Sequence, residues 1–187
     1  MMNSWTVPNL LTIIRIILIP IFIIALSAEK YIFAWMIFAA AGITDALDGF
    51  LARILRQRSW LGAFLDPLAD KLLLISSFVC LAWKGWLPFW LAVMVVSRDF
   101  LILAGMGVLQ FFGVDIKYRI NPTLISKLNT LFQLLLIMIV LLLNSTSWDM
   151  SGLLPVFISA VAILTFISGI HYIVIGFRYL NTKSEAA

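Results

Sequence analysis

Eight positions between residues 45 and 70 carry the chemistry available to this sequence: Asp45, Asp48, Gly49, Ala52, Arg53, Gly62, Asp66 and Asp70. Asp45 and Asp48 are three apart, and Asp66 and Asp70 are four apart. Either spacing puts a pair on one face of a helix, with Cβ atoms about 5–6 Å apart. Four carboxylates gathered together repel, and divalent cations remove that penalty. All-oxygen ligands favour hard metals, Mg²⁺ first and then Mn²⁺ or Ca²⁺. No Cys or His lies inside this stretch, which argues against zinc. A set of this kind suits a two-metal site that grips a phosphate or diphosphate. Gly49 and Ala52 are small enough for a bulky group to approach the backbone. Arg53, one turn past Gly49, offers a planar fork to phosphate oxygens. Gly62 is expected to permit a tight turn or close ligand approach.

Positioning these groups takes two helices. The first pair falls near the end of an apolar run beginning at Tyr31, and the second pair opens another. Asp66–Pro67 reads as a helix start, with Asp as N-cap and Pro at the first helical position. The loop between, about ten residues long with Arg56, Arg58 and Gly62, makes the two helices antiparallel neighbours. All four carboxylates are then expected to converge.

The rest of the chain is largely hydrocarbon. Of 187 residues, 63% are hydrophobic and 12% charged, against roughly a quarter charged in a soluble domain. Mean hydropathy is +1.09. The expectation is one all-α membrane-embedded domain over residues 1–187. A span needs about 20 apolar residues, and the punctuation predicts six. They run from about Asn9 to Ala28, Tyr31 to Leu55, Asp66 to Trp83, Leu87–Pro88 to Phe112, Pro122 to Leu143 and Gly152 to Tyr179. Ile16–Leu26 has the length of a signal-peptide core, but no Lys or Arg precedes it and Arg15 lies inside the helical pattern, so it reads as a retained first helix.

Arg53, Arg56 and Arg58, then Lys117 and Arg119, then Arg178 and Lys183 fall on one side. Only Lys30 and Lys84 fall on the other, beside Glu29 and Asp149. This bias predicts both termini and the carboxylates at the cytoplasmic face. A net charge of +4 and a pI near 9.5 do not imply nucleic acid, because the basic residues are few and scattered. Cys80 is the single cysteine, so no intrachain disulfide forms. Cys80 and His171 read as packing residues, and Trp83, Trp86 and Trp90 as an interfacial aromatic belt.

The spacing from Asp45 to Asp70 resembles the signature of the CDP-alcohol phosphatidyltransferase family, D-x2-D-G-x2-A-R-x8-G-x3-D-x3-D, at every fixed position. Pro8-Asn9-Leu10-Leu11-Thr12-Ile13-Ile14-Arg15 also resembles the start of that family's first helix. The resemblance implies a six-helix membrane bundle in which an alcohol attacks CDP-diacylglycerol and CMP leaves. It implies Asp45, Asp48 and Asp66 as principal metal ligands, with two Mg²⁺ or Mn²⁺ ions. Asp70 becomes the general base and a further metal contact. Asp48, Gly49, Ala52, Arg53 and Gly62 line the CDP-lipid pocket. The family is commonly homodimeric, and Gly105 and Gly107 suit close packing between helices.

Arg98 with Asp99, Lys127 near Asn129, and Lys117 and Arg119 form a basic group suited to an acceptor carrying phosphate. For Arg98 the competing expectation is an internal ion pair with Asp99; for Lys117 and Arg119 it is loop charge that sets topology. Ser97-Arg98-Asp99 and Pro122-Thr123-Leu124-Ile125-Ser126-Lys127-Leu128-Asn129-Thr130 resemble the CMP-forming cardiolipin synthase branch. The expected acceptor is therefore phosphatidylglycerol, with glycerol 3-phosphate the alternative. With no Arg- and Ser-rich leader, the expected location is a bacterial cytoplasmic membrane. Two other classes compete. A divalent-cation transporter would spread carboxylates along a transmembrane path, whereas these gather at one edge. A silent scaffold would not be expected to keep the whole signature.

Overall fold

The computed structural model describes the backbone over residues 7–54, 60–111, 124–146 and 152–184. Side chains are described over 10–45 (Leu11 apart), 68–105, 124–146 and 152–176. Among the described residues there are six α-helices and no strand. They are α1 Val7–Ser27, α2 Tyr31–Ile54, α3 Trp60–Trp83, α4 Phe89–Phe111, α5 Leu124–Ser145 and α6 Leu154–Ser184. Leu124–Ser145 and Leu154–Gly176 are long and apolar enough to cross a membrane, with mean hydropathies of 2.0 and 2.1. Thr12–Ser27 and Tyr31–Asp45 are shorter apolar stretches. Helix is the expected form for such segments, since it satisfies backbone polar groups within the segment.

The chain divides into two compact units. Residues Met1–Trp86 and Ile137–Met150 form the first, in which α1 packs on α2 and α3. Thr12, Arg15, Ile19, Phe22 and Leu26 make the buried stripe of α1, one residue every turn. Ala34, Ile37, Phe38 and Ala41 bury the matching face of α2. Phe22 and Phe38 meet with ring centroids 5.9 Å apart and planes tilted by 49°. From α3 come Ala69, Leu73, Ser77, Phe78 and Leu81. The outward faces are just as apolar: Ile17, Ile24, Phe33, Met36 and Val79 are exposed. Residues Leu87–Leu136 and Ser151–Ala187 form the second unit, where α4 packs on α6.

α1 and α3 end in the same way. Lys30 N–H bonds the carbonyl of Ala25 and Glu29 N–H that of Leu26; Trp86 and Gly85 repeat the pattern on Leu81 and Ala82. These are Schellman caps, which need a left-handed residue. Gly85 supplies it at φ 75° and Glu29, despite its side chain, at φ 60°.

Three expectations change. α3 begins at Trp60, not Asp66, so Asp66 and Pro67 lie inside the helix and Asp66 is not its cap. Gly62 is helical and occupies no turn. The stretch from Trp60 to Leu65 contains only Gly62 as a poor helix former, at about 1 kcal/mol, so the helix extends past Pro67, which lacks the N–H for the carbonyl of Ala63. Gly105 is exposed on α4, and a Cβ there would meet no atom within 4 Å, so it mediates no close packing among the described residues. Gly107 and the connection at 55–59 lie outside the described residues.

A Cβ at Gly85 or Gly42 would likewise meet nothing within 4 Å, so backbone conformation alone decides those substitutions. Gly85→Ala should cost about 1–2 kcal/mol through its positive φ. Gly42→Ala, mid-helix, should add about 0.5–1 kcal/mol. Glu29→Gly should stabilise, since its 3.8 Å contact with Lys84 is an exposed ion pair of little value. Thermal unfolding of the three variants in detergent checks these signs.

Candidate active site

The inward stripe of α1 carries Arg15 where an aliphatic side chain would otherwise sit, and its guanidinium is wholly buried. Nη1 donates a hydrogen bond to Oδ1 of Asp70 on α3. Nη2 lies 3.0 Å from Oδ1 of Asp45 on α2, without the alignment of a hydrogen bond. The two carboxylates remain 50% and 40% exposed. A buried cation thus underlies two acidic groups that open outward on the other side. Burying an unpaired charge would cost several kcal/mol, and the paired carboxylates offset that cost.

Two of the four sequence-predicted carboxylates are therefore brought together through Arg15. Asp48, Gly49, Ala52 and Arg53 continue α2 past Asp45, and Asp66 precedes Asp70 by one turn of α3. The side chains of Asp48, Ala52, Arg53 and Asp66 lie outside the described residues, as do Lys117 and Arg119 altogether. Among the described residues no group of three or more His, Cys, Asp or Glu stands ready for a metal. Arg15 did not stand out in the sequence as a site residue. The available signal was a charged residue sharing a helical face with Thr12 in an otherwise apolar run, since charges in such helices face the interior.

In the second unit Arg98 is buried and fully engaged. Nη1 donates to Asp99 Oδ1 at 2.7 Å, and Nη2 to Ser126 and Ser168 Oγ at 2.6 Å each. Nε donates to Ser168 Oγ at 3.2 Å. The guanidinium lies 5.8 Å from the ring centre of Tyr172, and its Cγ sits 3.8 Å from where a Cβ on Gly169 would be. The internal ion pair with Asp99 is thus present. One and two turns along α5, Asn129 and Gln133 are buried with Thr165: Gln133 Nε2 donates to Thr165 Oγ1 at 3.3 Å, which donates to Asn129 Oδ1 at 2.9 Å. Lys127 is exposed beside Ser126. Gln133, Thr165 and Ser168 also went unremarked in the sequence, though polarity inside an apolar helix marks them as inward-facing. Cys80 and His171 are half-buried, and Trp83 and Trp90 exposed, while Trp86 meets Tyr31 edge-on at 4.8 Å.

A cavity of about 410 Å³ is lined by Glu29, Lys30, Tyr31, Phe33, Met36 and Asn144 among others. It opens at the start of α2, about 20 Å of helix from Asp45, and holds none of the site carboxylates.

A family model described as CDP-alcohol phosphatidyltransferase matches residues 5–174. The human cardiolipin synthase (CMP-forming) is 40% identical over 149 residues, covering 72% of this chain and 50% of its own length. The chain thus spans about half the length of that relative. A probable phosphatidylglycerophosphate synthase of Mycobacterium tuberculosis (strain H37Rv) is 34% identical over 186 residues, with 96% and 85% covered. The CDP-diacylglycerol–glycerol-3-phosphate 3-phosphatidyltransferase of Wigglesworthia glossinidia brevipalpis is 32% identical over 180 residues, with 93% and 96% covered.

Removing one member of a buried ion pair leaves the other's charge less well compensated. Arg98→Met should destabilise the protein by about 3–5 kcal/mol, and adding Asp99→Asn should recover part of that loss. A double-mutant cycle by thermal unfolding measures the coupling.

Proposed function

The chain belongs to the CDP-alcohol phosphatidyltransferase family, and from that premise we propose that it transfers a phosphatidyl group from CDP-diacylglycerol to an alcohol with release of CMP. The observation that carries the reading is the meeting of Asp45 and Asp70, the first and last aspartates of the signature, on one guanidinium. A transporter reading finds no support in these similarities.

The donor set fits a divalent cation: two half-exposed carboxylates already share a cation, and Asp48 and Asp66 stand one turn away on the same two helices. Asp45, Asp48, Asp66 and Asp70 would hold Mg²⁺ or Mn²⁺, two ions by their number. Bound there, the metal would neutralise charge on the diphosphate and the departing CMP. Asp70 takes the proton from the acceptor hydroxyl as that oxygen bonds phosphorus and the bond to CMP breaks. Asp48, Gly49, Ala52, Arg53 and Gly62 line the CDP-lipid pocket. Gly62 does so from within α3 and not from a turn.

The acceptor is phosphatidylglycerol, and the product cardiolipin. Identity to the human relative and the strings around Arg98 and Lys127 favour this reading. Lys127, Lys117 and Arg119 bind the acceptor phosphate, while Arg98, the fourth residue expected there, is held by Asp99, Ser126 and Ser168. The second reading, glycerol 3-phosphate, is favoured by the near-complete coverage of the mycobacterial and Wigglesworthia relatives. Six spans with both termini in the cytoplasm put the site at the inner leaflet of a bacterial cytoplasmic membrane, in a homodimer. Exposed aliphatic faces on α1 to α6 support lipid as the surrounding solvent.

Purified protein given CDP-diacylglycerol, Mg²⁺ or Mn²⁺, and a panel of phosphatidylglycerol, glycerol 3-phosphate, inositol phosphate and serine should release CMP. Cardiolipin is the expected product by mass spectrometry; phosphatidylglycerophosphate instead would select the second reading. Asp70→Asn should reduce CMP release by at least 10²-fold while thermal unfolding stays cooperative.

A further inference from the structure

Arg15 is charged, buried, and bound to the carboxylates that the proposed function assigns to metal. Its two η nitrogens each face one Oδ1, that of Asp70 and that of Asp45, and its Nε has no hydrogen-bond partner. The guanidinium therefore points its fork at both acids at once and ties α1 to α2 and α3. We propose that Arg15 is a built-in counter-cation: it holds Asp45 and Asp70 together in the metal-free protein and competes with a divalent ion for the same oxygens, so that it sets metal affinity. The inference rests on the metal reading above.

The physical argument has three parts. Two carboxylates inside neighbouring helices repel unless a cation lies between them, and a buried guanidinium reached from a third helix supplies one. Both carboxylates are half-exposed on the side away from the buried guanidinium, so a divalent ion can still reach them. Oxygen lone pairs given to Arg15 are shared with any metal, and the two cations repel at short range. By linkage, whatever factor Arg15 costs the metal, the metal costs Arg15's hold on the carboxylates. Arg15 thus acts as a positioning residue and not as a catalytic one.

The test uses full-length protein in detergent, with Mn²⁺ as probe, and two readouts other than turnover. Free Mn²⁺ counted by electron paramagnetic resonance gives Kd, and thermal unfolding in EDTA and at saturating Mn²⁺ gives Tm. Arg15→Gln removes the charge at similar size. It should lower Tm in EDTA, bind Mn²⁺ about tenfold more tightly, and gain more Tm from Mn²⁺ than the wild type gains. Folding of Arg15→Gln only in the presence of Mn²⁺ would be the same result in its extreme form. Arg15→Lys keeps the charge but loses the fork, so its Kd should stay near the wild-type value while its Tm in EDTA falls. That variant carries the test if Arg15→Gln does not fold under either condition. Unchanged or weaker Mn²⁺ binding by Arg15→Gln overturns the competition, and an unaltered metal-free Tm in Arg15→Lys overturns the tie between Asp45 and Asp70; either leaves the metal site standing. A wild type that binds no Mn²⁺ overturns the metal reading itself, and this inference with it.

Discussion

A guanidinium without exposed surface, reached from α1 and set against one carboxylate from α2 and another from α3, is the contact that organises the first unit. Apolar packing alone brings helices together without choosing their rotation, because Leu and Ile are equally at home against lipid or against protein. A buried cation is different. It must find anions, it reaches only a few ångströms, and its planar fork accepts few geometries. Once Arg15 meets Asp45 and Asp70, the stripe Ile19, Phe22 and Leu26 is turned inward on α1, where Phe22 meets Phe38 of α2.

The second unit uses the same device with different partners. Arg98 neutralises the adjacent Asp99 and spends its remaining donors on one serine from α5 and another from α6. Asn129, Gln133 and Thr165 extend this polar contact between α5 and α6. In both units the buried face is marked by polar groups while the exposed face is aliphatic. That inversion follows from a solvent with no hydrogen bonds to offer.

A guanidinium under the acidic pair also separates the groups that restrain from the groups that are exposed. The carboxylates remain half-exposed and accessible, while the charge that restrains them is held away from solvent. Burial and exposure are thereby assigned to different residues: α1 supplies the buried cation, and α2 and α3 supply the half-exposed acids.

Much of this was legible in the residue order. The six helices follow from apolar runs and their punctuation, with most boundaries within a few residues, because Gly85, Pro88 and the Glu29–Lys30 pair interrupt the pattern locally. Family membership follows from a spacing of eight residues that packing need not reveal. The start of α3 was not legible: Asp66–Pro67 has the chemistry of a helix cap, but continuity of the backbone ladder carried the helix back to Trp60. Nor was the inward face of α1, since hydrophobic periodicity fades when both faces are apolar, and between Leu10 and Leu26 only Thr12 and Arg15 break the symmetry. Local sequence thus determined which segments are helical and which side chains have chemistry to offer. Which acids Arg15 would meet, and that Arg98 would turn to Asp99 and two serines, depended on distances across tens of residues that only packing of the helices establishes.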